Sequence, residues 1–156
     1  MNPSEKDNLI LIGMPGAGKS TVGVVLAKKT GRYFLDSDLV IQEQEHRLLH
    51  EIITQEGTDG FLQVENRINA GIEAEHAVIA TGGSVIYGVD AMRHFQQIGQ
   101  VVYLKLSYEA IADRLGDLNE RGVALKPGQT LLDLYNERIP LYERCADVVV
   151  DCEGLQ

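Results

Sequence analysis

Cysteine is scarce in this chain: Cys145 and Cys152 are the only two, and their spacing matches neither a CxxC redox pair nor a zinc knuckle. One precedes and the other follows an expected strand, so they read as ordinary thiols of a reduced protein. No apolar run approaches the roughly 20 residues needed to cross a bilayer. The opening stretch, Met1 to Asp7, lacks the basic start, apolar run and cleavage site of a signal peptide, and a cytoplasmic location is expected. Basic residues are also few. Lys and Arg total 14 against 23 Asp and Glu, and the net charge of −9 would repel a phosphate backbone. Neither a nucleic acid nor a membrane surface is expected as a partner.

The 156 residues suit one domain spanning the whole chain, and a hydrophobic fraction of 44% supplies one sizeable core. Asn8–Ile12 is a continuous apolar run of the kind buried on both faces of a parallel sheet. A helical pattern follows from Lys19 to Thr30, ended by Gly31, and Tyr33–Leu35 reads as a second strand ending at Asp36. From about residue 38 to 75 the pattern is helical with a break near Gly57 to Gly60. Ala77–Ala80 and Val101–Leu106 are the third and fourth strands, with helices around 89–97 and 108–115. Residues 116–129 carry three glycines and a proline and read as a mobile loop. Thr130 caps a last helix to Arg144, and Val148–Val150 is the fifth strand. Alternating strand and helix imply an α/β fold, a parallel sheet covered on both sides.

Gly13-Met14-Pro15-Gly16-Ala17-Gly18-Lys19-Ser20 matches G-x-x-x-x-G-K-[ST] without deviation and lies between an expected strand and an expected helix. Its glycines allow successive backbone N–H groups to point at phosphate oxygens, and the helix N-terminus adds its positive end. Lys19 should reach the β- and γ-phosphates of ATP, and the Ser20 hydroxyl should ligate Mg²⁺. The bland alternative is a glycine-rich turn that merely links strand to helix.

Motors, GTPases and small-molecule kinases share this loop. The guanine-reading Asn-Lys-x-Asp is absent, and Asp151 after Val148–Val150 has no neighbouring Glu, arginine finger or sensor to make a hydrolytic ATPase. Asp36 and Asp38 fall at the carboxyl edge of the sheet, where open α/β folds bind ligands, and strand alternation would turn both the same way. One can face Mg²⁺ while the other orients or deprotonates an acceptor hydroxyl; a helix N-cap is the ordinary alternative. His46 and His50, four apart in the expected helix, could share a metal.

From Leu9 to Asp151 the pattern resembles the shikimate kinase family. The residues that carry the resemblance are Gly13–Ser20 with Thr21 and Gly23, Phe34 to Asp38, Phe61 with Glu65, Ala80 to Gly83, Arg114, Arg121, and Arg138 with Tyr142. It implies a P-loop NTPase fold with a five-stranded sheet of order 2-3-1-4-5, a lid at about 116–129 and an acceptor-binding helical region at about 38–75. The implied reaction is transfer of the γ-phosphoryl group of ATP to shikimate, giving shikimate 3-phosphate on the route to chorismate and the aromatic amino acids. It also implies roles for particular residues. Gly13, Pro15, Gly16, Ala17, Gly18, Lys19, Ser20 and Thr21 would form the ATP site with Arg114 near the adenine. Ser20 and Asp36 would serve Mg²⁺, and Asp38 would hold the acceptor hydroxyl. Gly82 and Gly83 would approach the acceptor through bare backbone, Arg138 would pair with its carboxylate, and Arg121 would reach the transferring phosphate. Lys19, Asp38 and Arg121 are thus the catalytic set, a small-molecule substrate the one partner, and a monomer the expected state.

Four departures stand out. Leu62 occupies the place of an arginine that clamps the acceptor carboxylate in the family, and Ser84 that of a third consecutive glycine. The lid reads Arg121-Gly-Val-Ala-Leu125 rather than arginine-proline-leucine-leucine, and the family's adenine-contacting turn and final helix have no counterpart after Asp151. A charge-assisted hydrogen bond is worth ~1.5–3 kcal/mol, so losing that arginine should weaken shikimate by ~10–100-fold unless another cation substitutes. Arg67 lies on the wrong helix face for this; Lys126 in the lid is better placed. Taken alone, these positions leave open a kinase for an acceptor without the carboxylate, or a nucleotide-binding module without transfer.

Overall fold

Asn8–Ile12 forms β1 at the centre of a five-stranded parallel sheet, with β2 (Tyr33–Asp36), β3 (Ala77–Ala80), β4 (Gly99–Lys105) and β5 (Val148–Asp151) in the order β2-β3-β1-β4-β5. The structure, a computed structural model, describes residues 7–115 and 128–153. Six α-helices accompany the sheet among the described residues: α1 (Lys19–Thr30), α2 (Ser37–Glu45), α3 (Leu49–Ala70), α4 (Val89–Ile98), α5 (Tyr108–Leu115) and α6 (Leu131–Cys145). They cover both faces, and the central strands are accordingly apolar on both. Ile10, Leu11, Ile12, Val78, Ile79 and Val101 are all buried. Each such side chain withdrawn from water stabilises the fold by ~1.5–3 kcal/mol.

The register pairs Leu9 with Val78 on one side of β1 and Ile10 with Val101 on the other. β4 begins at Gly99, earlier than the apolar pattern indicates, because Gly99 is drawn into pairing opposite Asn8. The expected helical stretch after Asp38 is two helices, separated where His46 takes a left-handed φ of 56°. The expected break at Gly57 is a kink inside α3, with φ 75° at that residue. His46 therefore ends α2 while His50 lies in α3, and the two do not share a helix face. A 3₁₀ turn at Val85–Tyr87, not anticipated, follows the glycines after β3.

After the kink, α3 buries Phe61, Val64 and Ile68 against Ile41 of α2 and Ile52. This small second core stands apart from the main one. It fixes the angular position of every residue on α3, which decides which of them reach the cleft. At the other wall, Thr130 caps α6 by accepting from the Asp133 N–H, while Asp133 accepts from that of Thr130. No described helix is long and apolar enough to cross a membrane.

Candidate active site

The loop between β1 and α1 has the backbone its glycines permit. Gly16 and Gly18 take left-handed φ values of 87° and 91°. A Cβ on Gly13 would stand 2.8 Å from the Leu104 carbonyl oxygen, so the loop must lie flat against β4 there. Gly18 caps α1 without any side-chain bond, which leaves the first N–H groups of the helix for an anion. Lys19 is buried, and its ammonium donates to the carbonyls of Gly13 at 2.7 Å and Met14 at 2.9 Å. Burial pulls its pKa down to about 8, with Asp38 the strongest opposing influence.

The two carboxylates after β2 do converge, but by a different route from strand alternation. Asp36 is the N-cap of α2, its Oδ1 accepting the Asp38 N–H at 2.9 Å, and Asp38 sits in the first helical turn. The capping role and the site role belong to the same residue. Asp36 Oδ2 accepts from the Ser20 hydroxyl at 3.4 Å, joining the loop to the sheet edge. Asp38 Oδ1 is buried with no hydrogen-bond partner. Desolvation, reinforced by Asp36 and opposed by Lys19, raises its carboxyl to about 6.

Gly82 and Gly83 follow β3, and a side chain on either would collide. A Cβ on Gly82 would lie 2.7 Å from Asp38 Oδ1, and one on Gly83 would lie 2.6 Å from Pro15 Cδ and 2.8 Å from Arg138 Nη1. The segment is pinned from both ends: Thr81 donates to the Leu11 carbonyl at 2.8 Å, and the Tyr142 hydroxyl donates to that of Gly83 at 2.6 Å. Tyr142 is itself held by stacking on Tyr103, with ring centroids 5.1 Å apart. Arg138, one turn earlier on α6, is 1% exposed and lies 5.5 Å from the centre of the Tyr87 ring. Its Nε has no partner. A buried guanidinium so placed calls for an anionic group.

These residues line one cleft of about 510 Å³, bounded by Pro15, Lys19, Asp38, Phe61, Gly82 and Arg138 among others. That volume suits a small ligand. Ser20, Thr21, Asp36, Gly16, Gly18, Gly83 and Arg114 line it too, whereas Ala17 is packed in the core behind the loop. Arg114 donates to the Gly16 carbonyl at 3.2 Å, which puts it over the phosphate loop. Arg121 and Lys126 lie outside the described residues, as does most of the expected lid.

Both departures on the acceptor side take a form the sequence did not disclose. Phe61 and Glu65 are four apart on α3 and face the cleft together. Leu62, about 100° further round the helix, turns instead into a neighbouring cavity of about 70 Å³ that it shares with Tyr87, Leu134 and Arg138. Ser84 does not press a bare hydroxyl on the acceptor; its Oγ donates to Glu65 Oε1 at 2.6 Å. Glu65 is 2% exposed, and burial pushes its carboxyl up to about 7 in spite of that bond. In the sequence its only mark is the four-residue spacing from Phe61, which puts both on one helix face and so in the cleft. Arg67, as expected, points elsewhere and pairs with Glu45 at 3.2 Å.

A phosphate loop at the edge of a 2-3-1-4-5 sheet, opening into a cleft of this size, is the plan of P-loop small-molecule kinases, phosphotransferases with an alcohol acceptor. The family model described as shikimate kinase matches residues 15–156. Shikimate kinase 2 of Yersinia enterocolitica is 34% identical over 148 residues, covering 92% of this chain and 85% of that protein. Shikimate kinase of Haemophilus influenzae is 36% identical over 151 residues, covering 94% and 84%. Among solved structures, shikimate kinase from Acinetobacter baumannii in complex with shikimate is similar with a TM-score of 0.81 and 35% identity, over 95% of this chain and 84% of that one. The chain belongs to the shikimate kinase family.

Proposed function

We propose that this protein phosphorylates shikimate: the 3-hydroxyl oxygen attacks the γ-phosphorus of ATP, the bond to the β-phosphate oxygen breaks, and ADP and shikimate 3-phosphate leave. The observation that carries this reading is Asp38 Oδ1, buried without a partner in the same cleft as the phosphate loop and Lys19. A carboxyl raised to about 6 is still ionised at neutral pH and basic enough to take the hydroxyl proton as the new bond forms. Such proton transfer contributes ~10²–10⁴ to the rate. The loop N–H groups and Lys19 hold the phosphates and follow the charge that spreads onto them in the transition state.

Mg²⁺ fits the oxygens present. The Ser20 hydroxyl and Asp36 Oδ2 are hard donors 3.4 Å apart at the mouth of the cleft, and a Mg²⁺ site needs one or two such groups beside phosphate and water. There the ion would neutralise charge on the ATP phosphates. Arg138 pairs with the acceptor carboxylate next to Gly83. The net charge of −9 suits a small-molecule acceptor better than a phosphate backbone, and the reading takes the protein to act as a cytoplasmic monomer.

A second reading is favoured by Leu62. With an apolar side chain beside Arg138, a kinase whose acceptor carries no carboxylate is the alternative. ADP release with Mg·ATP across shikimate, quinate, gluconate, homoserine and simple nucleosides separates the two. Activity with shikimate alone supports the proposal. Preference for an uncharged acceptor supports the second reading, and silence throughout despite stabilisation by ATP would make the protein a nucleotide-binding module.

A further inference from the structure

Arg138 is 1% exposed, yet among the described residues no carboxylate forms an ion pair with it. Its guanidinium meets an aromatic face instead, that of Tyr87, with the ring centre 5.5 Å from the guanidinium carbon. The difference matters to a ligand. A carboxylate partner would neutralise the arginine and hold it back from the acceptor, whereas the negative face of a ring supports the charge and leaves N–H groups to donate elsewhere.

Tyr87 is fixed for this task from several directions. It ends the 3₁₀ turn whose Val85 and Ile86 are buried. The next residue, Gly88, packs so closely on α3 that a Cβ there would lie 2.6 Å from Asn66 Oδ1, and that oxygen also accepts the Ala91 N–H at 2.9 Å. On the α6 side the Tyr87 hydroxyl donates to Glu137, the residue before Arg138. Arg138 lines both the cleft and the neighbouring cavity, while Tyr87 and Leu62 line only the cavity. The ring therefore acts on an acceptor only through Arg138.

We propose that Tyr87 is a positioning residue: its ring holds the Arg138 guanidinium oriented at the cleft, and so sets how tightly the acid group of the acceptor is bound. The proposal rests on the reading that Arg138 pairs with a carboxylate of the acceptor. With leucine at position 62 the acid meets no guanidinium from that side, so more of the selectivity rests on how Arg138 is held. A guanidinium already fixed loses less freedom on binding than one free to turn.

The test compares two acceptors, shikimate and the alcohol in which its carboxylate is reduced to a hydroxymethyl group. The proteins are wild type, Tyr87→Phe, Tyr87→Leu and a form with Tyr87 replaced by 3,4,5-trifluorophenylalanine. Stabilisation by ATP in a melting experiment verifies that each is folded. Wild type should favour shikimate by ~10–100-fold in kcat/KM, mostly through KM. Tyr87→Phe keeps the ring, and KM for shikimate should stay within about twofold. Tyr87→Leu removes it, and that KM should rise about tenfold while kcat, ATP affinity and KM for the alcohol stay within about twofold. The fluorinated ring keeps the shape but withdraws charge from its face, so KM for shikimate should rise about threefold over Tyr87→Phe. That last comparison decides alone if Tyr87→Leu does not fold. An unchanged KM in Tyr87→Leu, a rise that the alcohol shares, or equal KM in the fluorinated and Phe forms would overturn the role of Tyr87 and leave the proposed function standing. A wild type that handles acid and alcohol alike would overturn the pairing by Arg138 and this proposal with it. One that binds ATP but never phosphorylates shikimate would overturn the proposed function as well.

Discussion

The Lys19 ammonium donates to the Gly13 carbonyl at 2.7 Å, so the lysine at the end of the phosphate loop is held by the first residue of that loop. Its pKa of about 8 leaves it charged at neutral pH, inside a wall of backbone that can hand it to a phosphate oxygen. Lys19→Ala should therefore lower transfer to any acceptor by at least ~10². The check is ADP release at saturating ATP; retention of more than about a tenth of the wild-type rate would remove Lys19 from the transfer step.

Asp38→Asn keeps shape and polarity but cannot accept the hydroxyl proton. ATP affinity should stay within about twofold while turnover falls by at least ~10². Equilibrium titration of ATP beside steady-state kinetics reads both quantities. If ATP binding weakens as much as turnover, Asp38 serves the metal or the fold and not the acceptor.

Burial of Glu65 has a consequence for stability. Its carboxyl rises from 4.5 to about 7 on folding, so the folded protein holds a proton that the unfolded chain releases over that interval. The penalty for burying the charge is absent below the ordinary value, grows as pH rises, and is complete above about 7, where it reaches about 3 kcal/mol. Wild type should thus lose stability relative to Glu65→Gln between about pH 5 and pH 8, and the difference should be flat beyond. Melting temperatures of the pair across that range measure it. Parallel curves would mean that Glu65 titrates as it does in the unfolded chain.

Much of this site was legible before the fold was known, and the reason is locality. The phosphate loop is eight consecutive residues whose backbone angles are set by their own glycines, and Asp36 ends the strand that Tyr33–Leu35 identifies, with Asp38 two residues on in the first turn of α2. The sheet order followed from the resemblance, not from any strand taken alone. Contacts between distant segments stayed hidden. Ser84 and Glu65 are 19 residues apart and meet because the segment after β3 lies against α3. Leu62 was expected at the acceptor carboxylate, but the kink at Gly57 and the packing of Phe61 set its angle toward the neighbouring cavity. The burial of Arg138 depends in the same way on α6, whose turn also carries Tyr142.

Leu62→Arg tests that cavity. Arg138 lines both the cavity and the cleft, so a guanidinium grown from position 62 has a path to the acid that Arg138 meets. KM for shikimate should fall about tenfold with ATP affinity unchanged, the gain expected of one charge-assisted contact. An unchanged KM in a folded variant would separate the cavity from the acceptor site altogether.

The central claim is that the cleft between the phosphate loop and Arg138 transfers phosphate to one particular hydroxyl. The most direct measurement is phosphorus NMR of the product formed by the wild-type protein from Mg·ATP and shikimate. The account predicts stoichiometric ADP and a single phosphomonoester, coupled to the proton on carbon 3. A phosphate on another carbon, or no phosphomonoester from a protein that binds ATP, would contradict it.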